Sequence, residues 1–143
     1  MSGASEGACL CGAVTFSGEG GVSAFWLCHC GQCRQWTSGP FHAVHFKGGV
    51  SLGAGSPLTW FRSSDIAERG FCAACGSTLF YRRAGEPRDW ATSAGALRDN
   101  AGLSVTANVW IEDMPGWAKH AHAAPGMTAE DFVEDRPGKE IVP

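Results

Sequence analysis

All seven cysteines of this 143-residue chain fall in three short clusters. They are Cys9-Leu10-Cys11, Cys28-His29-Cys30-Gly31-Gln32-Cys33 and Cys72-Ala73-Ala74-Cys75. Thiols this close in sequence converge on one metal ion with little backbone distortion. Thiolate-bound zinc is four-coordinate in closed structural sites; sites that do chemistry keep one position for water or substrate. The two pairs together supply four ligands and the triplet supplies three. That arithmetic predicts one closed site, tying the N-terminus to the middle of the chain, and one open site. The odd count also leaves one thiol over from any complete set of disulfides.

Spacing alone allows a second partition. Cys30 and Cys33 could join Cys72 and Cys75 in a ribbon-like site, leaving Cys9, Cys11 and Cys28 over. Strand geometry bears on the choice, because residues i and i+2 of a strand share a face. Cys9 and Cys11 then point together while Leu10 turns away. The same rule places His29 opposite Cys28 and Cys30, as a neighbour of the site rather than a ligand. Gly76 follows the Cys72-Cys75 pair and permits the left-handed backbone such a turn needs. A redox pair shares the C-x-x-C spacing but expects a βαβ context, which this sequence lacks.

The rest of the chain reads as one mainly β domain. Hydrophobic residues make up 44%, with 20 glycines and six tryptophans, favouring short strands and many turns. Strands are predicted at 12–16, 22–27, 41–46, 58–61, 78–81, 90–93 and 105–111, with turns at Gly48-Gly49, Gly53–Gly55 and Glu86-Pro87. A helical turn is expected at 31–35. A short helix is expected after Thr128, an N-cap residue followed by acidic side chains. The domain is bounded at 1–126, and 127–143 reads as a short helix and a mobile tail.

Net charge is −3, so no electrostatic footprint for nucleic acid or an anionic membrane is present. Arg82, Arg83 and Arg88 read as solvated loop charges. No stretch approaches the ~20 apolar residues of a membrane span. The first residues carry neither a basic region nor an apolar run, so a cytoplasmic, reducing location is the expectation. There, clustered cysteines are metal ligands or catalytic groups more often than disulfides.

Three ordered motifs now stand together: Cys9-Leu10-Cys11-Gly12-Ala13-Val14, Cys28-His29-Cys30-Gly31-Gln32-Cys33-Arg34 and Gly70-Phe71-Cys72-Ala73-Ala74-Cys75-Gly76-Ser77-Thr78-Leu79. With Trp36–Gly39 and Met114–Trp117 as flanks, they resemble the glutathione-dependent formaldehyde-activating enzyme family, also called the centromere protein V domain family. The resemblance runs from about residue 6 to residue 118. It implies a zinc-pinned, antiparallel β fold of the Mss-four-like type and two Zn²⁺ per chain. Cys9, Cys11, Cys72 and Cys75 match the structural site. Cys28, Cys30 and Cys33 match the catalytic site, whose fourth position takes water or a substrate thiol. Relatives often carry a histidine where this chain has Asn108, which can hydrogen-bond but does not titrate.

The implied activity is that of a carbon–sulfur lyase, joining glutathione or another thiol to a small aldehyde such as formaldehyde to give S-(hydroxymethyl)glutathione. Zinc held by the triplet would lower the thiol's pKa. Arg34, Arg69 and His29 are the candidate substrate contacts, with Arg62 a weaker one, because arginine binds a carboxylate through two parallel hydrogen bonds. Trp36, Phe41 and Trp60 read as core rather than pocket. His42 and His45, three apart on a strand, face opposite sides. His120 and His122 read as exposed. The competing readings are a non-catalytic zinc module and a thiol redox sensor.

Overall fold

A computed structural model of the protein describes residues 5–86 and 90–134. Two sheets carry the fold. The smaller has the order β1-β2-β5, from β1 (Ser5–Ala8), β2 (Thr15–Gly18) and β5 (Val50–Leu52). The larger has seven strands: β3 (Val22–Cys28), β4 (Phe41–Phe46), β6 (Leu58–Arg62), β7 (Ala67–Cys72), β8 (Thr78–Arg83), β9 (Ala91–Ser93) and β10 (Ala107–Val109). Their order is β10-β3-β4-β9-β8-β7-β6. All pairings are antiparallel except that of β10 with β3. The expected mainly β domain is therefore found.

β4 shows how the large sheet comes to have two covered faces. Phe41 and Ala43 pack with Cys33 and Ala91, whereas Val44 and Phe46 pack with Phe16, Phe25 and Val50. Alternation sends the two sets to opposite sides. The larger core lies between the sheets and centres on Val14, Val44, Leu79 and Phe80, all with no exposed surface. Burying each such side chain contributes about 1.5–3 kcal/mol. Phe80 meets Phe16 edge-on at 5.0 Å, and Trp60 meets Trp90 edge-on at 5.0 Å. The sheets approach closely where glycine allows: a Cβ at Gly7 would enter the Phe16 ring, and one at Gly18 the Phe46 ring. The smaller core lies on the other face, beneath helix α1 (Gly31–Thr37).

Several expectations shift. The strand expected at 12–16 starts at Thr15, because residues 9–14 form a tight turn. The strand expected at 105–111 shrinks to Ala107–Val109, because Trp110 adopts a left-handed conformation (φ 56°) and starts a 3₁₀ turn over Ile111–Asp113. A bulky residue in that region is a strained arrangement held by its surroundings. β1, β5 and β7 were not expected. Arg82 is not a loop charge: it lies on β8, pairs with Glu68 at 2.9 Å and stacks on Trp60 at 3.6 Å. Pro87 and Arg88 lie outside the described residues, as does the tail from residue 135. α2 (Gly116–Lys119) and α3 (Ala129–Glu134) complete the fold. Thr128 caps α3 as expected, its Oγ1 accepting from Asp131 N at 3.2 Å. Among the described residues, no helix is long and apolar enough to cross a membrane.

Candidate metal centres and active site

The structure decides between the two partitions of the cysteines. Cys9, Cys11, Cys72 and Cys75 bring their sulfurs within 4.8 Å of one another; Cys28, Cys30 and Cys33 do so separately. The ribbon-like alternative is not formed.

The four-cysteine cluster is built from two similar turns. Gly12 N donates to Cys9 O at 3.0 Å, and Gly76 N donates to Cys72 O at 2.8 Å. Both glycines have positive φ, 80° and 78°, a backbone that other residues adopt only at a cost. The thiols of Cys9 and Cys11 thus converge through a turn, not through the strand alternation expected from the sequence. Leu10 does point away, 87% exposed. Ser77 joins the turns, its Oγ accepting from Leu10 N at 2.9 Å and standing 3.1 Å from Cys75 Sγ.

Sulfur spacing supplies a test of fit. A tetrahedron with Zn–S of about 2.3 Å has edges of about 3.8 Å. Cys9 Sγ and Cys11 Sγ are 3.6 Å apart, and Cys11 Sγ and Cys72 Sγ 3.9 Å. The set therefore fits a tetrahedral, thiophilic ion. Without metal, the Ser77 hydroxyl and then its backbone N–H lower the Cys75 thiol to about 5. Cys11 rises to about 11: the Ala13 N–H favours its thiolate but is outweighed by the Cys9 thiol and partial desolvation.

The triplet is assembled where β3 ends and α1 begins. Cys28 closes the strand. Cys30 is the helix N-cap, its sulfur accepting from Cys33 N at 3.4 Å, and Cys33 lies in the first turn, 4% exposed. A cap normally offers a side-chain oxygen to an orphan N–H; a cysteine sulfur fills that role here. Cys28 is held below its usual value by its hydrogen bond with Cys33; the same bond, together with burial, pushes Cys33 up. The two thiols thus divide one proton unequally. Three sulfurs so close, all at one strand–helix junction, fit the same kind of ion with one ligand position left over.

His29 is buried but does not join the sulfurs. Its N donates to Val109 O at 3.0 Å, and Nε2 stands 2.9 Å from Asn108 Oδ1, which accepts from an Nε2–H tautomer. Asn108, exposed on β10, thus orients the ring. Arg34 Nη1 donates to Asp113 O at 3.0 Å, joining α1 to the segment after β10.

Arg69 comes from β7, across the sheet. It is 5% exposed, and its Nη1 donates to Cys33 Sγ at 3.4 Å and its Nη2 to Gln32 Oε1 at 3.3 Å. Trp36 and Tyr81 cover its guanidinium at 4.9 and 5.2 Å. Neither Gln32 nor Tyr81 was singled out in the sequence, and nothing in their spacing marks them.

The remaining candidates lie elsewhere. Arg62 is exposed on edge strand β6 and donates to Asp65 O at 2.7 Å. Trp60 and Phe41 are core side chains, and Trp36 packs on Phe41 at 5.2 Å. His42 lies near Phe25, whereas His45 stacks on Trp26 at 4.7 Å, consistent with opposite faces of β4. His120 and His122 are exposed. A groove of about 250 Å³ lies over the small sheet, lined by Glu6, Thr15, Ser17, Ser51 and Arg98 among others. It includes no thiol.

Comparison with known proteins follows the same lines. A Rhodobacter sphaeroides protein of known crystal structure superposes with a TM-score of 0.55 at 22% identity, over 73% of this chain and 99% of that one. This likeness concerns the fold alone. An uncharacterized lyase of Schizosaccharomyces pombe is 28% identical over 129 residues, covering 90% of this chain and 94% of the relative. Residues 4–113, which hold all seven cysteines and both β10 and Asn108, match the glutathione-dependent formaldehyde-activating enzyme family, and the chain belongs to that family.

Proposed function

We propose that the protein is a carbon–sulfur lyase that makes or breaks the adduct between a small thiol, glutathione foremost, and a small aldehyde such as formaldehyde. One observation carries the reading. The sulfurs of Cys28, Cys30 and Cys33 form a ligand set that no fourth His, Cys, Asp or Glu completes among the described residues. A three-ligand site keeps a position for substrate, whereas the four-cysteine set is saturated. The family's name and the fission yeast relative's description as a lyase agree with it.

In this reading Zn²⁺, held by Cys28, Cys30 and Cys33, would favour the thiolate form of the substrate thiol at neutral pH. The chain's own groups set the geometry. The β3–α1 junction fixes the three sulfurs on one side, and Asn108 keeps the His29 ring turned from them. Arg34 spends one N–H on Asp113 O and keeps further donors for a substrate carboxylate. In the addition, a sulfur lone pair forms the S–C bond, the carbonyl π pair moves to oxygen, and the thiol proton ends on that oxygen. Because this addition is facile without catalyst, a modest acceleration is expected.

The test is NMR exchange spectroscopy of formaldehyde and glutathione at equilibrium, with and without zinc-loaded protein. Faster exchange that is lost in Cys28→Ser supports the proposal. Exchange unchanged by the protein, with glutathione and with simple thiols alike, overturns it.

A further inference from the structure

Arg69 presents a problem of charge. A guanidinium is protonated at every accessible pH, and burying a cation is costly unless an opposite charge accompanies it. Arg69 is 5% exposed, yet among the described residues no carboxylate pairs with it. Its Nε is buried without a hydrogen-bond partner. Gln32 is neutral, and the rings of Trp36 and Tyr81 hold the guanidinium in place without neutralising it. Among the described residues, its hydrogen-bond partners are the neutral Gln32 and Cys33 Sγ, 3.4 Å from Nη1, which is negative when it ligates a metal. The counter-charge of Arg69 is therefore the thiolate set itself.

We propose that Arg69 is a positioning residue of the open site: acting through Cys33, it offsets the negative charge of the thiolates so that a fourth, anionic thiolate can enter. This rests on the reading of the triplet as a thiol-binding metal site. A dication with three thiolates carries −1, and a fourth thiolate would take it to −2. With Arg69 beside Cys33, the assembly is neutral before the thiol binds and −1 afterwards. The four-cysteine cluster has no such cation among the described residues; its polar contacts are Ser77 Oγ and backbone N–H groups. It also has no further anion to admit. A carboxylate-binding role for Arg69 would need an open face on the guanidinium, which its enclosure denies.

The experiment uses the full chain loaded with Co²⁺, whose thiolate charge-transfer bands report on each site. The variants are Arg69→Lys and Arg69→Gln. Loss of a group that orients or charge-balances a metal ligand typically costs 10–100-fold in metal affinity. Arg69→Gln is expected to weaken Co²⁺ at the triplet by about that factor, leaving the four-cysteine site unchanged. Arg69→Lys, which keeps the charge, should recover most of the loss. Glutathione and the uncharged thiol 2-mercaptoethanol should weaken equally in Arg69→Gln, while neutral imidazole at the same position weakens little.

Unchanged Co²⁺ affinity at the triplet in both variants overturns the proposal. So does weakening of glutathione alone, which would make Arg69 a carboxylate contact. Equal weakening of thiols and imidazole overturns it too, by pointing to a purely structural role. If neither thiol perturbs the triplet's spectrum in the unmodified protein, the functional reading fails, and the Co²⁺ affinities still decide whether Arg69 balances the thiolates.

Discussion

The four-cysteine cluster and the triplet use the same atoms in opposite ways. In the first, two turns distant in sequence meet, and every ligand position is filled by the chain. In the second, one strand–helix junction supplies all three sulfurs, and a buried arginine from β7 stands against one of them. The clusters also belong to different cores on opposite faces of the large sheet, Cys9 and Cys72 to one and Cys33 to the other. A thiol cluster's task thus follows from where its ligands come from and what charge surrounds it.

Ligand deletion should separate the two most sharply. Cys72→Ser is expected to abolish cooperative folding or lower the melting temperature drastically, because structural zinc supplies on the order of 10 kcal/mol of folding free energy. Cys28→Ser should remove one metal equivalent and any activity while lowering the melting temperature far less than Cys72→Ser, by what the buried Arg69 loses with its counter-charge. Metal analysis with thermal unfolding checks both. Equal destabilisation by the two variants would erase the distinction.

Acidification should resolve the clusters in time and pH. Thiols must lose their protons to bind metal, so occupancy of both sites falls as pH falls. Cys75 is held at about 5 and stays ionised until pH drops through that value. The triplet likewise holds Cys28 low, and each cluster has one thiol pushed up, Cys11 to about 11 and Cys33, so protons compete at both throughout the neutral range. The ligand count separates them: with one ligand fewer, the triplet is expected to release its metal first, at the higher pH, followed with a chelating dye. Simultaneous release would show that the closed set gains nothing from its fourth ligand.

The smallest effects lie in the supporting hydrogen bonds, each worth about 1 kcal/mol net. Ser77→Ala should lower stability by about that amount and loosen metal only at the four-cysteine site. Asn108→Ala, in which the substituted side chain is exposed, should change stability less and act only on the triplet's side, by freeing the His29 ring. Differential scanning calorimetry and site-resolved metal affinity distinguish them. A Ser77→Ala effect spread over both sites would mean that they are coupled.

Much of the site could be read from the sequence because metal-ligand spacing is a local code. The three clusters, the separation of His29 from the sulfurs and strand β4 at 41–46 all follow from short-range periodicity. What escaped reading is non-local. β7 buries Ala67, Arg69, Gly70 and Cys72, which form no apolar alternation. Arg69 is tolerated there because two aromatic rings and a thiol enclose it, and Gly70 because the Trp60 ring fills the space above it. The parallel β10 likewise depends on a partner about 80 residues away, and its length on the left-handed backbone of Trp110. The Cys9–Cys11 turn misled because strand and turn can both bring such a pair of thiols together.

The turns of the four-cysteine cluster have a consequence for the unfolded chain. Cys11 and Cys72 are separated by 61 positions, so a metal there closes a loop of nearly half the chain. Holding the ends of a loop that long in the unfolded ensemble costs about 3–4 kcal/mol of chain entropy, on the scaling of roughly (3/2)RT ln n. An ion there therefore has little purchase on the disordered chain. The triplet's sulfurs lie within six consecutive residues, so an unfolded chain gathers them at little entropic cost, and what folding adds there is the Arg69 guanidinium beside Cys33. A ligand that binds both states stabilises the fold only by the difference between its two affinities. An ion at the triplet should then weigh little in the melting temperature, and an ion at the four-cysteine cluster should dominate it.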